Sequence, residues 1–444
     1  MVSKLQETKL TGIEEIPTGW EVRQLGELFD FSGGMPFSRS ALGEEGFLYL
    51  HYGDIHKRNQ NMFSTSDDFN WLPKIDIGIE DVKDYALLTT GDVVFADASE
   101  DYEGIGKSVV IVNDENKPFI SGLHTIVARE REQRKLLDID YKRYFLTPKF
   151  VRDQFVKIAT GATVFGISKT NIKQIKILVP PIPEQKEIAT ILSSVDKAIQ
   201  KTKSIIEQIE KMKKGLMQQL LGKGIGHTKF KKTAVGEIPE EWEVVSIGEV
   251  AEVRNGTTPS RSNSIYWDGG TIPWIKTGQV HDLFITNGQE CVTLEAVEKT
   301  SLRILPVNTI LIAMIGQGIT RGKAAMLTIP ATINQNFAAI VTKNVINPTF
   351  LLAYLEKSYD EIRSSGRGSN QGALNCNIVR AIKFPLPPKE EQDQISATWN
   401  NCIKRIEVEK SYLNRLENLK KGLTQVILIG KVRVKVDEAE VTQV

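Results

Sequence analysis

Side chains that can read the edge of a nucleic-acid base gather in short, glycine-flanked stretches of this chain. The densest is 366–372, where glycines keep bulk away from Arg367, Ser369, Asn370 and Gln371. Arginine, asparagine and glutamine present two hydrogen-bonding atoms side by side and so pair with base edges, whereas lysine mostly meets phosphate. The same types recur in Lys57, Arg58, Asn59, Gln60 and Asn61, in Arg39, and in Arg261 and Asn263 beyond Gly256. Lys276, Gln279, Gln317, Arg321 and Lys323 extend the second set, and Lys107 and Lys169 add positive charge to the first. Any one of these is an ordinary solvated residue, so they are candidates only as a set.

No catalytic constellation accompanies them. Asp101-Tyr102-Glu103-Gly104-Ile105-Gly106-Lys107-Ser108 comes close to a phosphate-binding loop, but Asp101 replaces the first glycine and would repel phosphate. That stretch also sits in a strand–turn–strand pattern instead of opening a helix, as does its partner around Gly318-Ile319-Thr320-Arg321-Gly322-Lys323. Pro180-Pro181 and Pro387-Pro388 invite comparison with an adenine methyltransferase motif, but Ile182 and Lys389 stand where an aromatic residue is required. Proline at these places fits the start of a helix. The five histidines show no metal-ligand spacing, and no Gly-x-Ser-x-Gly nucleophile occurs.

The elements that must position the candidates are written twice. Glu237-Ile238-Pro239-Glu240-Glu241-Trp242-Glu243-Val244 repeats Glu15-Ile16-Pro17-Thr18-Gly19-Trp20-Glu21-Val22, 237 − 15 = 222 positions later. Pro387-Pro388 with Glu391-Gln392 repeats Pro180-Pro181 with Glu184-Gln185 at an offset of 387 − 180 = 207. The bookends are kept while the segments between them differ, the plan of a scaffold that reads two different things. Within each insert, 92–95 and 309–313 are buried-strand candidates, with 107–112 and 323–327 as their hairpin partners. Segments 141–158 and 348–362 read as helices.

After each Glu-Gln pair runs a long helix with apolar steps of four and three. The first seam is Ile188, Leu192, Val195, Ile199, Ile206, Ile209, Leu216 and Leu220. The second is Ile395, Trp399, Cys402, Ile406, Leu413, Leu416, Leu423 and Ile427. This is the heptad spacing of helices that pack on one another. Thr202 with Glu409 and Lys213 with Lys420 are polar at matching seam positions, which restricts register. Gly215 and Gly422 each cost a helix about 1 kcal/mol, which predicts close approach of a partner backbone there. From Glu184 to Leu221 is 38 residues, roughly 57 Å of helix, comparable to roughly 15 base pairs. The tail 431–436 alternates as a short strand would, and with the lead 9–16 it resembles the inter-repeat connection cut in two.

Composition narrows the class. The chain has 444 residues and a formal net charge of +1 from 56 basic and 55 acidic side chains, so its affinity for any partner does not come from bulk positive charge. Cys291, Cys376 and Cys402 are scattered, with no Cys-x-x-Cys pair, which points to a reducing, cytoplasmic setting. No run has the length of a signal peptide or a membrane span.

Together these residues resemble the specificity subunit of type I restriction–modification systems. The resemblance rests on Ile-Pro-x-x-Trp-Glu-Val at 16–22 and 238–244, and on Leu-Tyr-Leu (48–50) and Pro-Trp-Ile (273–275) ahead of Gly53 and Gly278. The Gly-Lys hairpins, Ile333-Asn334-Gln335-Asn336 and the Pro-Pro…Glu-Gln helix starts complete it. The first half departs at Ser121-Gly122-Leu123-His124, where the second has Asn-Gln-Asn. The resemblance implies an α+β fold of two globular mixed α/β target recognition domains, separated by two long antiparallel coiled-coil helices in a pseudo-two-fold repeat. The expected division is 1–183 and 223–390 as recognition domains, 184–222 and 391–430 as spacer helices, and 431–444 as a tail. It further implies double-stranded DNA, two methyltransferase subunits and two restriction subunits as partners. S-adenosylmethionine, ATP and magnesium would be used by those subunits and none bound by this chain. A free-standing bipartite DNA-binding regulator and a non-DNA scaffold or receptor-binding protein are the alternatives.

Overall fold

A computed structural model describes residues 16–58, 61–67, 71–132, 135–316, 318–365 and 373–436. The chain divides into two compact units, residues 1–202 with 412–444 and residues 203–411. Each long helix is therefore shared, its two halves belonging to different units, where the sequence suggested whole helices between domains.

Both units carry a five-stranded and a three-stranded sheet of matching topology. In the first, the strands are β1 (Phe29–Gly33), β2 (Phe47–Leu50), β3 (Met62–Ser64), β4 (Lys74–Ile75), β5 (Val93–Ala96), β6 (Ser108–Val112), β7 (Phe119–Ser121) and β8 (Thr125–Glu130). They form a five-stranded sheet in the order β1-β8-β5-β6-β3 and a three-stranded one in the order β4-β2-β7. The second unit supplies β9 (Ala251–Asn255), β10 (Ile272–Ile275), β11 (Phe284–Ile285), β12 (Glu290–Val292), β13 (Ile310–Ala313), β14 (Ala324–Leu327), β15 (Thr332–Ile333) and β16 (Phe337–Thr342). Their orders are β9-β16-β13-β14-β11 and β12-β10-β15, the same arrangement eight strands later.

The central strands show why these residues form sheets. Side chains alternate across a strand, and both faces here are covered. Val93 and Phe95 of β5 point into one core with Val151 and Phe155 of helix Lys149–Ile158. Val94 and Ala96 point into another with Leu48, Leu50 and Phe119 of the small sheet. In β13, Ile310 and Ile312 meet Phe350 and Leu351 of helix Pro348–Lys357, whereas Leu311 and Ala313 meet Ile275 and Ile333. A strand buried on both faces must be apolar throughout, which is why 92–95 and 309–313 stood out. The helix expected over 141–158 is broken: Tyr141–Arg143 is a short 3-10 turn and the α-helix begins after Pro148. Proline disfavours helical conformation in the residue before it.

The long helices are α1 (Ile182–Lys223) and α2 (Lys389–Ile427). In the first unit their ends run antiparallel: Lys420 Nζ lies 2.6 Å from Asp196, while Ile188 and Leu192 share a core with Ile427 and Leu428. In the second, Lys410 Nζ lies 3.2 Å from Glu210, while Met217 and Leu221 share a core with Trp399 and Ile403. Every predicted seam position is buried or half-buried. Toward the end of α1, however, Met217 and Leu221 are more deeply buried than Leu216 and Leu220. A helix of 3.6 residues per turn drifts about 20° per heptad against a strict seven-residue repeat, and here it faces a globular core. The polar seam residues are satisfied: Thr202 donates to Ala198 O at 2.8 Å, Arg405 meets Glu409 at 2.7 Å, and Lys213 meets Glu356 at 2.7 Å.

The close approach expected at Gly215 and Gly422 is absent. A Cβ at either would meet nothing within 4 Å among the described residues, and both face outward. Residues 431–436 of the tail form no strand; Arg433 instead reaches back to Glu184. Residues 9–15 of the lead lie outside the described residues.

Candidate nucleic-acid interface

The repeated motifs prove to be joints, not reading surfaces. Trp20 Nε1 donates to Glu184 at 2.8 Å, and Trp242 Nε1 donates to Glu391 at 2.9 Å. The opening tryptophan of each repeat is thus tied to the helix start that closes it. Gln185 Nε2 donates to the carbonyls of Leu136 and Pro180, both at 2.8 Å, and its Oε1 accepts from Asp138 N at 2.8 Å. Gln392 does the same with Val345 O, Pro387 O and Asn347 N. These glutamines are buried with every polar atom used, which fixes how each insert meets its helix.

The loops above the small sheet carry the polar side chains. In the first unit they surround a recess of about 900 Å³ lined in part by Lys57, Lys107, His56, His124, Arg143 and Arg152. Lys107 Nζ donates to His56 O at 2.8 Å, and burial pulls its pKa below the usual ammonium value. Lys323 occupies the equivalent hairpin in the second unit, 3.2 Å from His281 Nδ1. The pairs His56–Lys107 and His281–Lys323 were a signal available in the sequence, since each histidine lies three positions beyond the motif glycine, Gly53 or Gly278.

Tyr49 and Trp274 are equivalent anchors. Tyr49 Oη donates to Met35 O at 2.8 Å, and Trp274 Nε1 donates to Thr257 O at 3.0 Å. Each holds down the loop after the first sheet strand, the loop carrying Arg39 or Arg261.

The remaining predicted residues divide by what holds them. Arg39, Lys57 and Lys169 are exposed. Arg58 donates from Nε to Met62 O at 3.1 Å and lies over the rings of Phe63 and Trp71. Arg261 is stacked 3.7 Å from the Trp267 ring and pairs with Glu290 at 2.7 Å. Lys276 reaches the same carboxylate at 2.5 Å. The hydrogen bond from Lys276 holds Glu290 below the usual carboxylate range, with Arg261 assisting. Asn263 caps a short turn by accepting from Ile265 N at 3.3 Å. Gln279 is buried and donates to Asn287 O at 3.0 Å. Arg321 is half-buried at its turn, its carbonyl accepting from Arg363 at 3.3 Å. Asn59, Gln60, Gln317, Arg367, Asn370 and Gln371 lie outside the described residues.

Among the described residues no group of three or more His, Cys, Asp or Glu could hold a metal ion. No described helix is long and apolar enough to cross a membrane.

The geometry defines a class: a duplicated scaffold that holds two differently furnished loop surfaces on one frame. The family model for the type I restriction modification DNA specificity domain matches residues 17–211 and 239–418, and the chain belongs to that family. It is 29% identical to the putative type I restriction enzyme MjaX specificity subunit of Methanocaldococcus jannaschii, covering 97% of this chain and 98% of that one. The MjaVIII specificity subunit of the same organism is 28% identical over 70% of this chain and 75% of its own length. Among solved structures, the S subunit of a type I restriction-modification system from M. genitalium shares the fold, with a TM-score of 0.57 at 15% identity, covering 93% of this chain and 96% of that one.

Proposed function

We propose that this chain is the DNA-recognition subunit of a type I restriction–modification complex, each unit reading one half of a bipartite, asymmetric duplex site. The observation that carries the reading is the pairing of one repeated frame, down to the Trp–Glu and Gln joints, with two sets of polar loops that differ. A protein that reads one sequence twice would repeat its loops along with its frame. The long helices then set the gap between half-sites.

The same exposed patch recurs on each helix. Met212 and Gly215 on α1 match Leu419 and Gly422 on α2, with both apolar side chains at least half exposed. Two copies of one patch suit two copies of one partner, read here as the methyltransferase subunits; two restriction subunits complete the complex. In this reading S-adenosylmethionine belongs to the methyltransferase subunits, which flip and methylate adenine at N6. ATP and magnesium belong to the restriction subunits. This chain supplies specificity in the cytoplasm and no chemistry of its own.

The test is methylome sequencing of a host lacking other adenine methylases, given this gene and its neighbouring methyltransferase gene. The expected result is a split motif with N6-methyladenine in both halves. Unmethylated DNA despite an assembled complex would overturn the reading. Removing one heptad from both helices is expected to shorten the gap in that motif; an active variant with an unchanged gap would end the ruler argument.

A further inference from the structure

The loop between β7 and β8 and its counterpart between β15 and β16 share three backbone anchors and carry two sets of side chains. Met35 N donates to Ser121 O at 2.8 Å where Thr257 N donates to Ile333 O at 3.0 Å. Gly122 N donates to Leu50 O at 2.9 Å where Asn334 N donates to Ile275 O at 3.1 Å. Asp97 N donates to His124 O at 3.1 Å where Met314 N donates to Asn336 O at 2.9 Å. Three matched hydrogen bonds fix both loops in the same place on the same sheets. On that frame one unit presents Leu123 and His124, the other Gln335 and Asn336.

We infer that these two matched tips are the base-reading elements of their units, led by His124 in the first and Gln335 in the second. The inference rests on the DNA-recognition reading above and names the residues that carry it. Specificity must differ between the units where their folds agree, and this loop is such a place. His124 is exposed, lines the recess with Lys57 and Lys107, and is held at φ 57°. A non-glycine residue in the left-handed region is strained and persists where neighbours over-determine it. Here Asp97 N, the Asp97 carboxylate 3.1 Å from Nδ1, and the Tyr52 ring, edge-on at 5.4 Å, do so.

The two tips offer different chemistry. An ionised carboxylate only accepts, so Asp97 fixes the proton on His124 Nδ1 and leaves Nε2 of the neutral ring as an acceptor. That atom complements the amino group of adenine or cytosine in the major groove. Gln335 is exposed and accepts at Oε1 from the Thr258 hydroxyl. Its amide Nε2 is left to donate, which complements guanine O6 or N7, or thymine O4. The same loop would therefore select different bases in the two halves, through adjacent positions of its tip.

The experiment is selection from a duplex library by the complex assembled with its methyltransferase subunits, followed by sequencing. Wild type is expected to select a split motif. His124→Ala is expected to relax discrimination about tenfold at one or two positions of one half-site, leaving the other half unchanged. Gln335→Ala should relax only the other half. His124→Gln keeps a polar side chain against Tyr52, serves where alanine fails to assemble, and should change the preferred base. If all three variants select the wild-type motif undiminished, the inference is wrong. Uniform weakening across sequences would also overturn it, since that is the mark of phosphate contact. A wild-type complex that selects no motif would instead bring down the recognition reading itself.

Discussion

Each unit answers the carboxylate at its joint from a different part of the chain. In the first, Glu184 receives Arg433, which also donates to Thr18 O at 3.1 Å, so the tail closes onto the opening motif. In the second, Glu391 receives His227, 3.1 Å away on the inter-repeat connection, and Ile225 N at 2.8 Å. The tail thus does for the first unit what the connection does for the second. Frame contacts are reproduced even where the supplying residue changes, whereas the side chains at the loop tips are not. That contrast separates what holds the molecule from what lets it discriminate.

The comparison is broken most severely at Trp399. It is fully buried and donates to Glu356 at 2.9 Å, while its counterpart Leu192 fills the same place in the first unit with a smaller side chain. Trp399→Ala is expected to cost the second unit about 3–5 kcal/mol. Denaturant unfolding followed by hydrogen exchange should place the loss in residues 203–411. A loss spread evenly over both units would contradict their independence as packed cores.

Removing the joint cations sharpens the contrast. Glu184 is buried and, among the described residues, keeps only Trp20 once Arg433 is gone, so Arg433→Ala should destabilise the first unit by about 1–2 kcal/mol, discounted because Arg433 is 44% exposed. His227→Ala should weaken the second unit less, since Ile225 N and Trp242 still hold Glu391. The reverse order, read from exchange in each unit, would mean the tail is not the equivalent of the connection.

A stabilising change follows. Gly215→Ala and Gly422→Ala place a methyl group in open space and should each raise stability by about 1 kcal/mol, visible as a higher Tm. A larger residue at both positions should leave the isolated chain folded and impair methyltransferase assembly, measured by co-purification. Unaltered assembly with leucine at both would remove the docking role given to this face.

Much of this frame was legible because it is patterned. Short continuous apolar runs reveal Val93–Ala96 and Ile310–Ala313, and heptad spacing reveals both helices, without knowledge of contacts. The joints were not, because Trp20 and Glu184 are 164 positions apart and Arg433 a further 249 from Glu184. Repetition marked these residues as important but not as partners of each other. The site was less legible still. Arg261 and Lys276 look like free cations in a string of letters, and only the fold brings Glu290 between them. Gln279 has the right type for base reading, but its amide is needed inside the domain. His124 was passed over because a single histidine in a departing loop has no pattern; its meaning comes from the anchoring hydrogen bond it shares with Asn336.

The smallest expected effect concerns acid. In the second unit Glu290 has a folded pKa below its ordinary 4.5, so its contribution is present above that value and disappears as pH falls through the lower folded one. In the first unit burial pushes Asp54 and Asp97 above their ordinary 3.8, so the folded state binds their protons more readily than the unfolded state does. Ionisation of those two carboxyls therefore opposes folding at neutral pH, and that opposition fades as pH falls through their folded values. Acidification from pH 6 to pH 4 should loosen the Trp274 and Glu290 region relative to the Tyr49–Asp54 region. Hydrogen exchange corrected for the intrinsic pH dependence reads the difference directly. Equal loosening would show that neither set of carboxyls governs its own loop surface, and the opposite order would reverse the electrostatic contrast drawn between the two units.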